Sequence, residues 1–158
     1  MEWGIWGQTP FWGQTPFPGK MGSVPKFVEF LEMKSAHDLV VAAKGRIREI
    51  PAEQAEEAIR NADLLIDVRE GDEYVAGHIP GAVHMSRGML EFKLSSNPDL
   101  AARDLNLVLY CKTSGRAALA CVALQEMGYH NVQSIAGGYD GWIAAGKPVA
   151  KPPVTKFE

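Results

Sequence analysis

Leu107-Val108-Leu109-Tyr110-Cys111-Lys112-Thr113-Ser114-Gly115-Arg116, continued by an Ala-rich run from Ala117 to Met127 and then Gly128, decides how the rest of the chain is read. An apolar run of strand formers stops abruptly at a cysteine. A polar turn with one glycine follows. The next segment lacks Gly and Pro and uses strong helix formers, and Gly128 stands where a helix C′ glycine is expected. The stretch therefore predicts a strand, a turn from Cys111 to Arg116, and a helix, with a thiol at the strand's end.

That position has a definite chemistry. A helix N-terminus presents unpaired N–H groups and a partial positive charge, and Lys112 and Arg116 add two cations nearby. Such surroundings lower a cysteine pKa from ~8.5 to between ~3.5 and ~7.5. The same N–H groups, from Lys112, Thr113, Ser114, Gly115 and Arg116, would hold an anionic substrate or leaving group. A cysteine ending a strand is often just a small buried hydrophobe. Here Lys112 to Gly115 are polar or glycine throughout, poor material for burying a thiol and good material for a backbone cup. The expectation is an ionised, accessible nucleophile at Cys111.

Moving outward, strands and helices alternate. Arg46–Ile50 alternates like a short strand; Pro51 suits a helix start, and Ala55, Ala58, Ile59 and Ala62 share one face. Leu64–Val68 is an apolar strand broken by Asp67, as buried parallel strands tend to be. A helical turn around Asp72–Val75, a short strand at Val83–Met85 and a helix from Ser86 to Leu94 follow. After the cysteine stretch, Asn131–Ile135 is a last strand, and Gly137-Gly138 leads into a helix carrying Trp142. This order predicts an α/β fold, a parallel sheet covered on both faces. Ligands gather beyond the carboxyl ends of such strands. Cys111 and Asp67-Val68-Arg69 both fall there.

Upstream, residues 1–22 read as a leader or an appended segment, since Trp6-Gly7-Gln8-Thr9-Pro10-Phe11 repeats at once as Trp12–Phe17 without charge or periodicity. Residues 23–45 read as a helical extension: Phe27, Phe30 and Leu31 share a face, and Ser35–Asp38 forms a capping box ahead of Leu39–Lys44. Residues 46–150 form the main domain and 151–158 an extended tail.

With 158 residues, 46% of them hydrophobic, the chain suits one domain with a full core. A net charge of −3 without a run of Lys and Arg argues against nucleic acid, and no apolar stretch reaches the ~20 residues that span a bilayer. Two cysteines make no disulfide scaffold. Along one helix they would lie about 15 Å apart, beyond the roughly 7 Å a disulfide allows. Cys121 is expected to be inert core, and the setting a reducing, cytoplasmic one. His37, His78, His84 and His130 show no metal-ligand spacing, so no metal and no cofactor is expected. Asp67 with Arg69 reads as a structural ion pair, Trp142 as core, and His78-Ile79 as the shape of a turn.

Three ordered motifs resemble one family. Leu65-Ile66-Asp67-Val68-Arg69-Glu70, with Tyr74 and Gly77-His78-Ile79-Pro80-Gly81-Ala82, is similar to the amino-terminal signature of rhodanese domains. Gly137-Gly138-Tyr139-Asp140-Gly141-Trp142 resembles the carboxy-terminal signature, and Tyr110–Ala117 lies where the family keeps its active-site loop. The resemblance implies a rhodanese-like domain around a five-stranded, mostly parallel sheet with helices on both faces. It also implies a thiosulfate sulfurtransferase working through a persulfide on Cys111, with Lys112–Arg116 binding the substrate. A small anionic sulfur donor, a cyanide or thiol acceptor and a possible acceptor protein would be its partners, in a monomer or homodimer. One departure is Ser114, where many single-domain members carry glycine. Two alternatives stand beside it: a non-catalytic sulfur-carrier or protein-binding module, and a cysteine phosphatase. Phosphatase loops carry five residues between cysteine and arginine, and this chain has four.

Overall fold

A computed structural model of the chain describes residues 33–153. The readings placed on residues 1–22, on Phe27–Leu31 and on residues 154–158 lie outside them.

The first helix, α1 (Ala36–Lys44), starts at the expected capping box: the Ser35 N–H donates to Asp38 Oδ2 at 2.8 Å, and the Asp38 N–H to Ser35 Oγ at 3.2 Å. Its C-terminal turn takes the Arg46 N–H onto Ala43 O, 2.9 Å, so the first strand, β1 (Arg48–Ile50), begins two residues later than the alternation suggests. A 3-10 turn after Pro51 leads into α2 (Ala55–Arg60), then β2 (Leu64–Asp67), α3 (Gly71–Ala76) and β3 (Val83–His84). The helix expected from Ser86 starts only at Leu90 (α4, Leu90–Ser96). The reason is local: the Met85 and Arg87 N–H groups donate to Asp67 O and Val68 O at 3.1 and 3.0 Å, which holds the chain beside the end of β2. Then follow β4 (Asn106–Tyr110), α5 (Gly115–Glu126), β5 (Asn131–Ile135) and α6 (Gly138–Ala144). Gly128, with φ +93°, closes α5, and the Tyr129 N–H returns to Leu124 O at 3.0 Å.

The five strands are all parallel, in the order β1-β5-β4-β2-β3. Side-chain alternation divides the core between the two sheet faces. Ile66, Leu107, Leu109 and Val132 pack with Leu90, Leu94, Ala117, Ala120, Cys121 and Leu124. Leu65, Val108, Tyr110 and Ile135 pack with Ala55, Ile79 and Trp142. α1 lies on α5, with Val40 Cγ2 3.3 Å from where a Cβ on Gly115 would sit. From β2 the chain moves outward to β3, and from β4 outward to β5 on the other side. The neighbouring ends of β2 and β4 are therefore the point where the winding reverses, the usual place for a ligand crevice.

The chain beyond α6 is tied back. Trp142 Nε1 donates to Pro148 O at 2.7 Å, and Ala150 makes an antiparallel bridge with His78, both bonds 2.9 Å. At the start of α6, Gly138 has φ +55°, and an added Cβ would run into the Cys111 carbonyl oxygen and lie 2.8 Å from Lys112 O. Gly146 also has positive φ, +69°, but open space around it. Urea denaturation should therefore separate the two. Gly146→Ala is expected to cost about 1 kcal/mol of backbone strain, and Gly138→Ala about 3 kcal/mol because the loop must also move.

Candidate active site

β4 delivers Cys111 beside Val68. Asp67 pairs with Tyr110 in register, and the Val68 N–H donates to Tyr110 O at 3.0 Å. The loop that follows is set by α6. The Tyr139 N–H donates to Cys111 O at 2.8 Å and the Asp140 N–H to Lys112 O at 3.0 Å. In a trans peptide the C=O and N–H point opposite ways. Fixing those two carbonyls on α6 therefore turns the Lys112 and Thr113 N–H groups away from it. From Lys112 through Ala117, no backbone N–H has a hydrogen-bond acceptor among the described residues. These are the orphan donors of a loop running into a helix start.

Two features depart from the sequence reading. Cys111 is not openly accessible: it is 1% exposed and packs in the cluster containing Val68, Met85 and Ala117. As the residue after β4 it continues the pleat onto the α4–α5 face, where the apolar core closes around it. Lys112 and Thr113 above it are exposed, and Ser114, Gly115 and Arg116 half-buried. The sulfur lies at the floor of the loop rather than at its rim.

The two cations, in addition, are not free. Arg116 Nη1 and Nη2 donate to Glu73 Oε2 and Oε1 at 2.6 and 2.9 Å, and Lys112 Nζ lies 3.5 Å from Asp140 Oδ1. Hydrogen bonding to Glu73 raises the Arg116 pKa against the effect of burial, and the charges of Cys111 and Glu70 act on Arg116 in the same direction. Sequence reading missed Glu73 and Asp140. Glu73 did carry a signal, standing three residues after Glu70 in the first turn of α3, where its carboxylate accepts the Glu70 N–H at 3.1 Å. Asp140 looks like any acidic residue in a first helical turn.

Asp67 and Arg69 form the expected structural pair, at 0% and 3% exposure. Arg69 Nη2 donates to Asp67 Oδ2 and to Gly77 O, both at 2.7 Å, and its Nε bridges both Asp67 oxygens at 3.1 Å. Tyr110 Oη donates to Asp67 Oδ2 at 2.7 Å and accepts the Ile79 N–H at 3.0 Å. The guanidinium stacks 4.0 Å over the Tyr139 ring. Burial and the neighbouring Asp67 carboxylate push the Tyr110 hydroxyl far above the usual phenol range, which keeps it a donor. Cys121 is core, its thiol raised to about 12 by burial.

The sequence profile of the rhodanese-like domain matches residues 51–145. A sulfurtransferase of Allochromatium vinosum is 29% identical over 108 residues, 67% of this chain and 97% of that protein. The thiosulfate sulfurtransferase GlpE of Haemophilus influenzae is 31% identical over 103 residues, covering 65% of this chain and 93% of that one. Among solved structures, a Rhodopseudomonas palustris protein of unknown function, described as a possible tyrosine phosphatase, superposes with a TM-score of 0.68. It is 26% identical, and the match covers 84% of this chain and all of that one.

Two measurements probe the polar framework. Asp67→Ala leaves a buried guanidinium unpaired and should cost about 3–5 kcal/mol, whereas Tyr110→Phe, which removes one hydrogen bond to Asp67 and one from the Ile79 N–H but leaves the ion pair in place, should cost about 1–3 kcal/mol in the same urea titration. Arg116 holds the Glu73 carboxyl down to about 2 from its ordinary 4.5. A depressed carboxyl stabilises the fold fully above its unfolded value and loses that contribution as pH falls through the folded one. Carboxyl-detected NMR should therefore place the Glu73 midpoint near 2. In Arg116→Gln it should return towards 4.5.

Proposed function

Because this chain belongs to the rhodanese-like domain family, we propose that it is a sulfurtransferase carrying sulfane sulfur on Cys111, from a small anionic donor such as thiosulfate to cyanide or a thiol. The observation that carries this reading is the run of unpaired amides from Lys112 to Ala117 in the loop that directly follows Cys111, at the reversal point of the sheet. Backbone donors fixed before the reaction stabilise charge on sulfur without reorganising.

In the first half-reaction the Cys111 thiolate attacks the outer sulfur of thiosulfate. A sulfur–sulfur bond forms to Cys111 as the bond to the sulfonate sulfur breaks, and sulfite leaves with that bonding pair. In the second, cyanide or a thiolate attacks the terminal persulfide sulfur and Cys111 leaves as thiolate. No outside oxidant enters and no general base is needed for an ionised thiol. Lys112, Thr113, Ser114, Gly115 and Arg116 act chiefly through their N–H groups. Cys111 is 1% exposed, which fits a reaction in which a single sulfur atom is transferred. The working unit is residues 46–150, with α1 as a packed extension. Two unpaired cysteines suit a reducing, cytoplasmic setting, and no helix among the described residues is long and apolar enough to cross a membrane.

A phosphatase reading draws on the description of the Rhodopseudomonas palustris neighbour. Against it stand the four residues between Cys111 and Arg116 and the pairing of Arg116 with Glu73, which removes the guanidinium a phosphate would need.

Intact-mass measurement after thiosulfate treatment tests the proposal. The wild type should gain one sulfur and lose it to cyanide, while Cys111→Ser should gain none. Hydrolysis of an aryl phosphate faster than turnover of thiosulfate would reverse the assignment, and no gain with any sulfane donor would leave the binding-module reading in its place.

A further inference from the structure

The charges at the mouth of the loop say which donors it favours, on the premise that Cys111 carries sulfur. Sequence alone suggests that Lys112 and Arg116 attract an anionic donor. Instead, Arg116 gives both terminal nitrogens to Glu73 at 2.6 and 2.9 Å, and Lys112 lies 3.5 Å from Asp140. Glu70 adds a third carboxylate, close enough for its charge to act on Arg116. Two cations thus stand among three carboxylates at the mouth of the loop. The Glu73 pair is held firmly: both side chains are half-buried or nearly so, and the same carboxylate also accepts the Glu70 N–H. Neither Glu73 nor Arg116 is spare, so the mouth offers an incoming donor backbone amides and almost no net positive field.

We infer that Glu73 is a specificity-determining residue: by neutralising Arg116 it tunes the site for monoanionic sulfane donors, of the organic thiosulfonate or persulfide class, over dianionic thiosulfate. Amides bind the sulfur end of either donor equally. A second negative charge gains no cation here and meets carboxylates instead, and like charge slows encounter as surely as opposite charge speeds it.

Thiosulfate and the methanethiosulfonate anion make the comparison clean, because a methyl replaces one charged oxygen at nearly constant shape. Each reaction balances: the outer sulfur passes to Cys111 thiolate, and sulfite or methanesulfinate departs with the bonding pair. With cyanide as acceptor, wild-type kcat/KM should be higher for methanethiosulfonate. Glu73→Gln frees Arg116 while keeping an acceptor for the Glu70 N–H. It should raise kcat/KM for thiosulfate about tenfold and narrow the preference by the same factor. That gain should shrink with added salt, which screens an exposed charge over about 10 Å at 0.1 M. Glu73→Asp, which keeps the charge, should retain the wild-type preference. Asp140→Asn, at an exposed site, should shift the preference the same way through Lys112. A wild-type preference for thiosulfate, a preference unchanged or widened in Glu73→Gln, or a thiosulfate rate without salt dependence in that variant, overturns the inference. If neither donor leaves a sulfur on wild-type Cys111 by mass, the sulfurtransferase reading itself falls, and this inference with it.

Discussion

A fully buried carboxylate, that of Asp67, is the constraint the rest of this structure answers to. Burying a charge is tolerable only when it is paired and its lone pairs are filled. Arg69 and Tyr110 do both. Each partner then has a second attachment: Arg69 to Gly77 O and the face of Tyr139, Tyr110 to the Ile79 N–H. One charge requirement thereby fixes the ends of β2 and β4, the turn at His78-Ile79 and the first turn of α6 relative to one another. The cysteine loop hangs from that frame.

Within the frame, the site's chemistry is made mostly by backbone. α6 takes two loop carbonyls, and peptide planarity does the rest, turning the amides of Lys112 and Thr113 towards the opposite side. Side chains of the loop are then left to tune rather than to build. Ser114 fits this division of labour: it starts α5 with an extended φ of −178° and makes no side-chain cap.

Much of this was legible in the sequence, and the exceptions share a cause. The strand–turn–helix around Cys111, the strand at Leu64–Asp67, the capping box at Ser35 and the inert Cys121 depend on neighbours within a few positions, where periodicity speaks. The Asp67–Arg69 pair is two residues apart and was equally plain. Arg116 and Glu73 stand 43 residues apart, and no local pattern announces that their charges cancel. Nor does polarity in a turn reveal that the residue before it points into the core, as Cys111 does. The delayed start of α4 has the same origin, since the groups that compete for Met85 and Arg87 belong to another strand.

The strand order carries a consequence for synthesis. Among the described residues β1 pairs in the sheet with β5 alone, and β5 fills the gap between β1 and β4. On a ribosome, which adds roughly 5–20 residues per second, Arg48–Ile50 emerges long before Asn131–Ile135, the strand it pairs with. The His78–Ala150 bridge closes later still. The nascent chain thus spends seconds with one sheet edge open, a window in which a chaperone or another copy could intervene.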